Sequence, residues 1–275
     1  MKKYIQGETK EQRRARKARD KTTTKVVVEP ASMPLVTDGI KRYVVCLKYG
    51  NKYSADYVNK LYNMVKRNLT LDHEFVCYTE DATGINPEVR IEPIPLMSGV
   101  QGWWYKPMFF NPNLGLKGVI LFFDLDVVIF RNIDYLFTHE PNKFCVIRDF
   151  NRKFIRNYNK FNSSIFRLNT GMHSDVYTKF IKDPNGPIRR YHGDQDWLRA
   201  IVRDGEYVYW PDDWIESYKW EMRDRPKYDR QPRGQRDFET PGEPVVKDAT
   251  SVAVFHGDPN PHNCKDQWVI DNWIN

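Results

Sequence analysis

No apolar run in this sequence approaches the roughly 20 residues that a membrane-crossing helix needs. The basic start is not followed by the apolar core of a secretory signal. Together these absences lead us to expect a cytoplasmic protein with no transmembrane segment. Cysteine is scarce, with only 4 among 275 residues, and no Cys-x-x-Cys pair occurs. Cys46, Cys77 and Cys145 lie inside the apolar runs "YVVCLK", "EFVCYT" and "KFCVIRD", and Cys264 stands near the C-terminus. That placement favours buried, reduced thiols over a disulfide framework or a zinc site. There is no internal repeat.

An excess of one charge is also missing from most of the chain. The formal net charge is +7, but residues 1–25 alone hold 10 Lys/Arg against 3 Asp/Glu, which leaves a neutral body. The stretch "KEQRRARKARDKTTTK" is charged and poor in large apolar residues, so residues 1–41 read as a flexible basic tail. Such an arm solubilises or locates the protein, or touches nucleic acid or an anionic surface.

Aromatic side chains are abundant, at 14%, and hydrophobic residues reach 40%, enough for a sizeable core. Regular structure is expected from residue 42 onward. Strands are predicted at 42–48, 73–79, 89–94, 118–123, 143–149, 162–169 and 251–255. Amphipathic helices are predicted at 54–68, with Ser54 as N-cap, and at 176–183 and 194–204. Continuous apolar strands interleaved with helices indicate an α/β sheet covered on both faces. The segment 221–249 is rich in proline and charge and reads as a long loop, a lid or a binding loop.

One apolar run contains a contradiction. "GVILFFDLDVVIFRNIDYLF" (118–137) carries two carboxylates, Asp124 and Asp126, in its middle. On an extended chain, residues i and i+2 point to one side, about 6.6 Å apart, so both can meet one ion. Buried unpaired charge is costly, and two carboxylates at the carboxyl end of a strand suit a hard divalent cation, Mn2+ or Mg2+. A salt-bridged structural pair is the simpler alternative. Asp194 and Asp196 form a second Asp-x-Asp, but in a helical context their side chains diverge. His256 follows a late apolar strand in "VAVFHGDPNPH" and is a candidate third ligand, with Gly257 allowing close backbone approach. His192, in a similar "HGD", reads as loop surface.

In their order along residues 42–275, these motifs resemble metal-dependent nucleotide-sugar glycosyltransferases of the GT-A fold, especially the glycogenin-like family 8. The closest match is "ILFFDLDVVIFRNIDYLF", followed by "FNSSIF", "GDQDWL" and "FHGDPNP". The resemblance implies a Rossmann-like α/β fold with a mixed, mostly parallel sheet flanked by helices. It also implies sugar transfer from a nucleotide sugar, with UDP expected, to an unknown acceptor with retention of configuration. By the same resemblance, Leu47 and Tyr53 would meet the nucleotide, the latter by stacking on the base. Lys106 would approach phosphate or sugar, and Asn162 and Ser163 the donor sugar. Asp194 would hold sugar hydroxyls, and Gln195 would lie beneath the anomeric carbon. Asp124, Asp126 and His256 would be the metal ligands. Asn260 stands where the family has a phosphate-binding lysine, and Lys219 is the candidate to supply that charge. Trp103, Trp104, Trp210, Trp214 and Trp220 fall near these motifs, either lining an acceptor site or packing the core. Competing readings are a metal-dependent phosphoryl hydrolase or nuclease, a nucleic-acid binder acting through the tail, and an inactive GT-A-fold binding protein.

Overall fold

Alternation of side chains along two central strands sets the layout. In β1 (Arg42–Lys48), Val44 and Cys46 enter one core while Tyr43 and Val45 enter another. β4 (Val119–Phe123) repeats this, with Leu121 and Phe123 on one side and Ile120 and Phe122 on the other. Strands buried on both faces belong at the centre of a sheet that is covered above and below. The computed structural model describes residues 39–224 and 242–275, all within one unit, Leu35–Asn275. The basic tail up to residue 38 and the middle of the 221–249 segment therefore lie outside the described residues.

β1 pairs in parallel with both β2 (Glu74–Thr79) and β4, and β2 pairs in parallel with β3 (Arg90–Pro93). A second three-stranded sheet contains β5 (Val127–Ile129). The main sheet is completed by β6 (Phe144–Arg148), β7 (Phe161–Asn169) and β8 (Tyr207–Tyr209). Its order is β3-β2-β1-β4-β7-β6-β8, with β7 antiparallel to both neighbours. In the small sheet, β5 pairs with β10 (Val252–Val254), which pairs with β9 (Ile215–Ser217).

Helix Ala55–Asn68 packs Val58, Leu61, Met64 and Val65 against the sheet. Asp56 in its first turn and Lys66 and Arg67 in its last turn complement the helix dipole. Ser54 occupies the N-cap as predicted, but its hydroxyl makes no capping bond. All four cysteines are buried and free. No helix among the described residues is long and apolar enough to cross a membrane.

The predicted strands recur within a residue or two, but the run 118–137 is not one strand. It breaks after β4 at Asp124–Asp126, restarts as β5 in the other sheet, and ends in the short helix Tyr135–Thr138. The stretch "GWWYKPMFF", which has no legible period, forms a 3-10 helix, Gly102–Phe110. This topology prepares a site. From β1 the chain winds outward through β2 and β3, then returns by the 3-10 helix to β4 on the other side of β1. The carboxyl ends of β1 and β4 thus flank a switch point, where open α/β sheets leave a crevice.

Candidate active site

A cavity of about 790 Å³ occupies that crevice. Its walls include Leu47 from β1, Tyr49–Tyr53 from the loop after it, and Asp124–Asp126 from the break after β4. Lys106 comes from the 3-10 helix, Ser163 and Ser164 from β7, and Gly193–Asp196 from the start of helix Asp194–Ile201.

The floor is an ionic group built around Lys106, which is 4% exposed. Its Nζ lies 2.8 Å from an Asp124 oxygen and 3.9 Å from Asp194 Oδ2, and it donates to the Ser163 carbonyl at 3.2 Å. Burial works to lower the ammonium pKa, but the charges of Asp124 and Asp194 outweigh it, so the pKa is raised and Lys106 stays charged. Asp194 is also buried, and desolvation pushes its carboxyl up against the pull of Lys106. Its Oδ2 has no hydrogen-bond partner. A buried carboxylate oxygen left without a donor, on the wall of a cavity, is a place for a ligand's hydroxyl or N–H.

Asp126 is held differently. The Tyr53 hydroxyl donates to its Oδ2 at 2.7 Å. Burial first, and the neighbouring Asp124 second, push its pKa up to about 6. The Tyr53 ring packs on Tyr57, with centroids 4.7 Å apart, and Lys52 Nζ lies 4.6 Å from its centroid.

His256, Lys219, Gly257 and Asn260 do not line this cavity; nor does Asn162, whose Oδ1 accepts from the Ser164 N–H. They are close by, because the Phe255 N–H donates to the Asp126 carbonyl at 2.9 Å, continuing the β10–β5 ladder. The His256 Nε2 lies 2.6 Å from Ser217 Oγ, and the ring stacks on Phe150 and meets Trp220 edge-on. Burial and the nearby Lys219 depress its pKa to about 3, so the imidazole is neutral. Gly257 has φ +76°, and a Cβ there would sit 3.3 Å from Lys219 Nζ. Asn260 caps the turn Pro261–Asn263.

The donor chemistry fits a hard divalent cation at Asp124 and Asp126, above all at the desolvated Asp126, which a cation would relieve. It does not assemble a full ligand set. No group of three His, Cys, Asp or Glu side chains able to hold a metal occurs among the described residues.

Sequence reasoning missed several cavity residues. His192 is exposed, as a loop histidine should be, yet it lines the cavity mouth. Asp194 and Asp196 both line the cavity from the first turn of their helix, but Asp194 meets Lys106 while Asp196 acts on Tyr158. Of the five tryptophans, only Trp103 and Trp104 line the cavity, whereas Trp210 is buried in the core. Trp214 packs on Tyr135 and His139, and Trp220 on Phe154 and His256.

No family model matches the chain, and no curated protein matches it. Solved structures do. The glycosyltransferase GlyE of Streptococcus pneumoniae TIGR4 is similar with a TM-score of 0.56 and 14% identity, over 84% of this chain. This chain spans 62% of the length of GlyE. The galactosyltransferase LgtC, solved with donor and acceptor sugar analogues, gives a TM-score of 0.54 and 14% identity, over 83% of this chain and 93% of LgtC. The bifunctional glycosyltransferase WbbM gives 0.54 and 14%, over 88% of this chain and 51% of WbbM. These likenesses establish the fold, which is the GT-A fold of glycosyltransferases.

Proposed function

We propose that this protein is a nucleotide-sugar-dependent glycosyltransferase of the glycogenin-like type. It would move a sugar from a UDP-sugar to a hydroxyl acceptor with retention of configuration. The observation that carries this reading is Asp194, a buried carboxylate with an unpartnered oxygen at the floor of a cavity built on the switch point of a GT-A sheet. A sugar hydroxyl is the natural donor to that oxygen, and a charge-assisted bond of this kind is among the stronger ones available. LgtC, the similar galactosyltransferase, was solved with donor and acceptor sugar analogues, which supports a sugar-binding cleft here.

The residues divide the work as follows. Leu47 and the Tyr53 ring sit on the β1 side of the cavity and would take the nucleoside. Lys106 keeps its charge beside Asp124 and would set electrostatic potential where phosphate and sugar meet. Ser163 and Asp194 would orient sugar hydroxyls. Gln195 lies on the same wall and, as an amide, would stabilise developing positive charge rather than attack as a nucleophile. Asp124 and Asp126 would hold a divalent cation, Mn2+ or Mg2+, which when bound supplies positive charge to the departing diphosphate. His256 has the neutral imidazole such an ion accepts and would join it by leaving Ser217. Lys219 and Gly257 would then form the edge of the phosphate site, where Asn260 provides no charge. The rival hydrolase or nuclease reading finds no support, because two-metal chemistry needs more clustered carboxylates than this pair.

The test is a thermal-shift screen of UDP, GDP, CDP and their sugars, each with and without Mn2+. A ligand held at 100 times its Kd stabilises by about 2.7 kcal/mol, which is several degrees for a chain of this size. We expect UDP with Mn2+ to give the largest shift and UDP alone a smaller one. No shift with any nucleotide would end the proposal.

A further inference from the structure

Trp103 is out of place for a core residue. It is 52% exposed, while its neighbour Trp104 is 7% exposed and stacks on Phe180. In a 3-10 helix, side chains three apart stand one above the other, about 6 Å along the axis. Trp103 therefore sits one turn above Lys106 on the same ridge, at the mouth of the cavity whose floor Lys106 forms. The facing wall leaves the indole uncovered. Gly193 lies beside it, and a Cβ there would lie 3.6 Å from Trp103 Nε1. Gly193 has φ −166°, an extended conformation open to any residue, so backbone strain does not explain the glycine. What the glycine provides is the absence of a side chain over the ring. The cavity that Trp103 lines also presents Gln101, His192, Gln195 and Asp196, which can exchange hydrogen bonds.

We infer that Trp103 is the stacking platform of an acceptor subsite, and that the acceptor is a neutral glycan. This rests on the glycosyltransferase reading and names its second substrate class. A pyranose presents an apolar C–H face, which packs on an indole, and a rim of hydroxyls, which carboxylates and amides accept. The charge selects against other acceptors. Asp194 and Asp196 follow Gly193 on the same wall, and Lys106 is committed to Asp124, so a phosphorylated or sialylated acceptor meets repulsion. Gly193 keeps the ring accessible, and the donor pocket lies deeper, toward Asp124 and Asp126.

The experiment uses the full chain with UDP and Mn2+ present. UDP affinity is measured by calorimetry, glycan binding on an array of immobilised neutral, sialylated and phosphorylated oligosaccharides, and acceptor KM and kcat by initial rates of transfer from a UDP-sugar to the glycans that bind. Trp103→Phe, Trp103→Ala and Gly193→Leu are compared with the parent. We expect neutral glycans to bind the parent and to quench its tryptophan fluorescence. Trp103→Ala should raise acceptor KM at least tenfold with a smaller change in kcat, Trp103→Phe should restore part of the loss, and Gly193→Leu should mimic Trp103→Ala. If UDP binds but no glycan does, or if Trp103→Ala leaves acceptor KM unchanged, the subsite is wrong while the enzyme reading stands. Preference for anionic glycans overturns it as well. If UDP does not bind the parent at all, both readings fall.

Discussion

Among the described residues, two cavities lined by charged side chains treat that charge in opposite ways. The second, about 470 Å³, is lined by Arg148, Arg152, Asp212, Glu216, Glu221 and Lys247 among others. These six are paired within the protein. Arg152 donates to both Glu221 oxygens at 2.9 Å and to the Asp212 and Ile215 carbonyls, Arg148 pairs with Asp212, and Lys247 and Thr250 hold Glu216. In the switch-point cavity, four carboxylates (Asp124, Asp126, Asp194 and Asp196) share the walls with Lys52 and Lys106, and one buried Asp194 oxygen, 3.9 Å from Lys106, accepts no hydrogen bond. A ligand entering the first kind of cavity must break existing pairs. One entering the second completes them. Charge density alone does not mark a site; unmet demand does.

The comparison predicts that the matched cavity matters to stability and the unmatched one to function. The largest effect should come from Arg152→Met. It strands Glu221, whose carboxyl burial already pushes its pKa up, with Arg152 the main group opposing that shift. Breaking a buried pair from one side costs about 3–5 kcal/mol. Urea unfolding should show that loss, and nucleotide affinity per folded molecule should stay at the parent's value. Adding Glu221→Gln should recover part of it. A stability loss under 1 kcal/mol would mean that the network is not what holds the small sheet against β6.

Next comes Asp194→Asn. It is isosteric and removes a desolvated charge, so thermal stability should hold or rise. Transfer should fall about a hundred- to a thousandfold, the size seen when one preorganised polar contact to a transition state is lost. Turnover measured beside a melting curve separates the two effects. Retained turnover would show that the unpartnered oxygen takes no part in binding substrate, and the contrast between the cavities would lose its functional half.

How much of this was legible in the sequence depends on how locally each feature is encoded. The strands were readable because Val44, Val45 and Cys46, or Leu121, Phe122 and Phe123, form short apolar runs that a doubly covered sheet requires. The Asp-x-Asp was readable as a contradiction between charge and burial. The 3-10 helix was not, because "GWWYKPMFF" is apolar on every side and shows no period. For the same reason nothing separated Trp103 from Trp104, one at the cavity mouth and the other in the core. The surroundings of His256 were also hidden. They depend on Ser217 and Phe150, which only the small sheet and the turn after β6 bring alongside. His192 and Asp196 were set aside on local pattern, but the crevice that gathers them is a property of strand order, and no window of sequence contains strand order.

The smallest predicted effect probes the comparison by pH, in chelator so that no metal intervenes. In the folded protein Asp126 titrates at about 6 rather than the usual 3.8, so the folded state binds its proton more tightly than the unfolded chain does. Above pH 6 the ionised side chain therefore costs stability, at most about 3 kcal/mol at 1.36 kcal/mol per pKa unit. That cost disappears as pH falls from 6 to below 3.8. Asp126→Asn removes it, so the variant should be the more stable protein at pH 7, and the gap should close on acidification. His256 runs the other way. Its folded pKa of about 3 lies below the ordinary 6.5, so its contribution is present at neutral pH and is lost as pH falls from 6.5 toward 3. Between pH 6 and 4 the parent gains from one group what it loses at the other. The variant keeps only the loss and should weaken by up to about 1.4 kcal/mol per pH unit relative to the parent. Denaturant midpoints at pH 7, 6, 5 and 4 measure the difference directly. Parallel curves for the two proteins would mean that Asp126 meets no unusual cost of burial, and the switch-point cavity would then be as well matched as its neighbour.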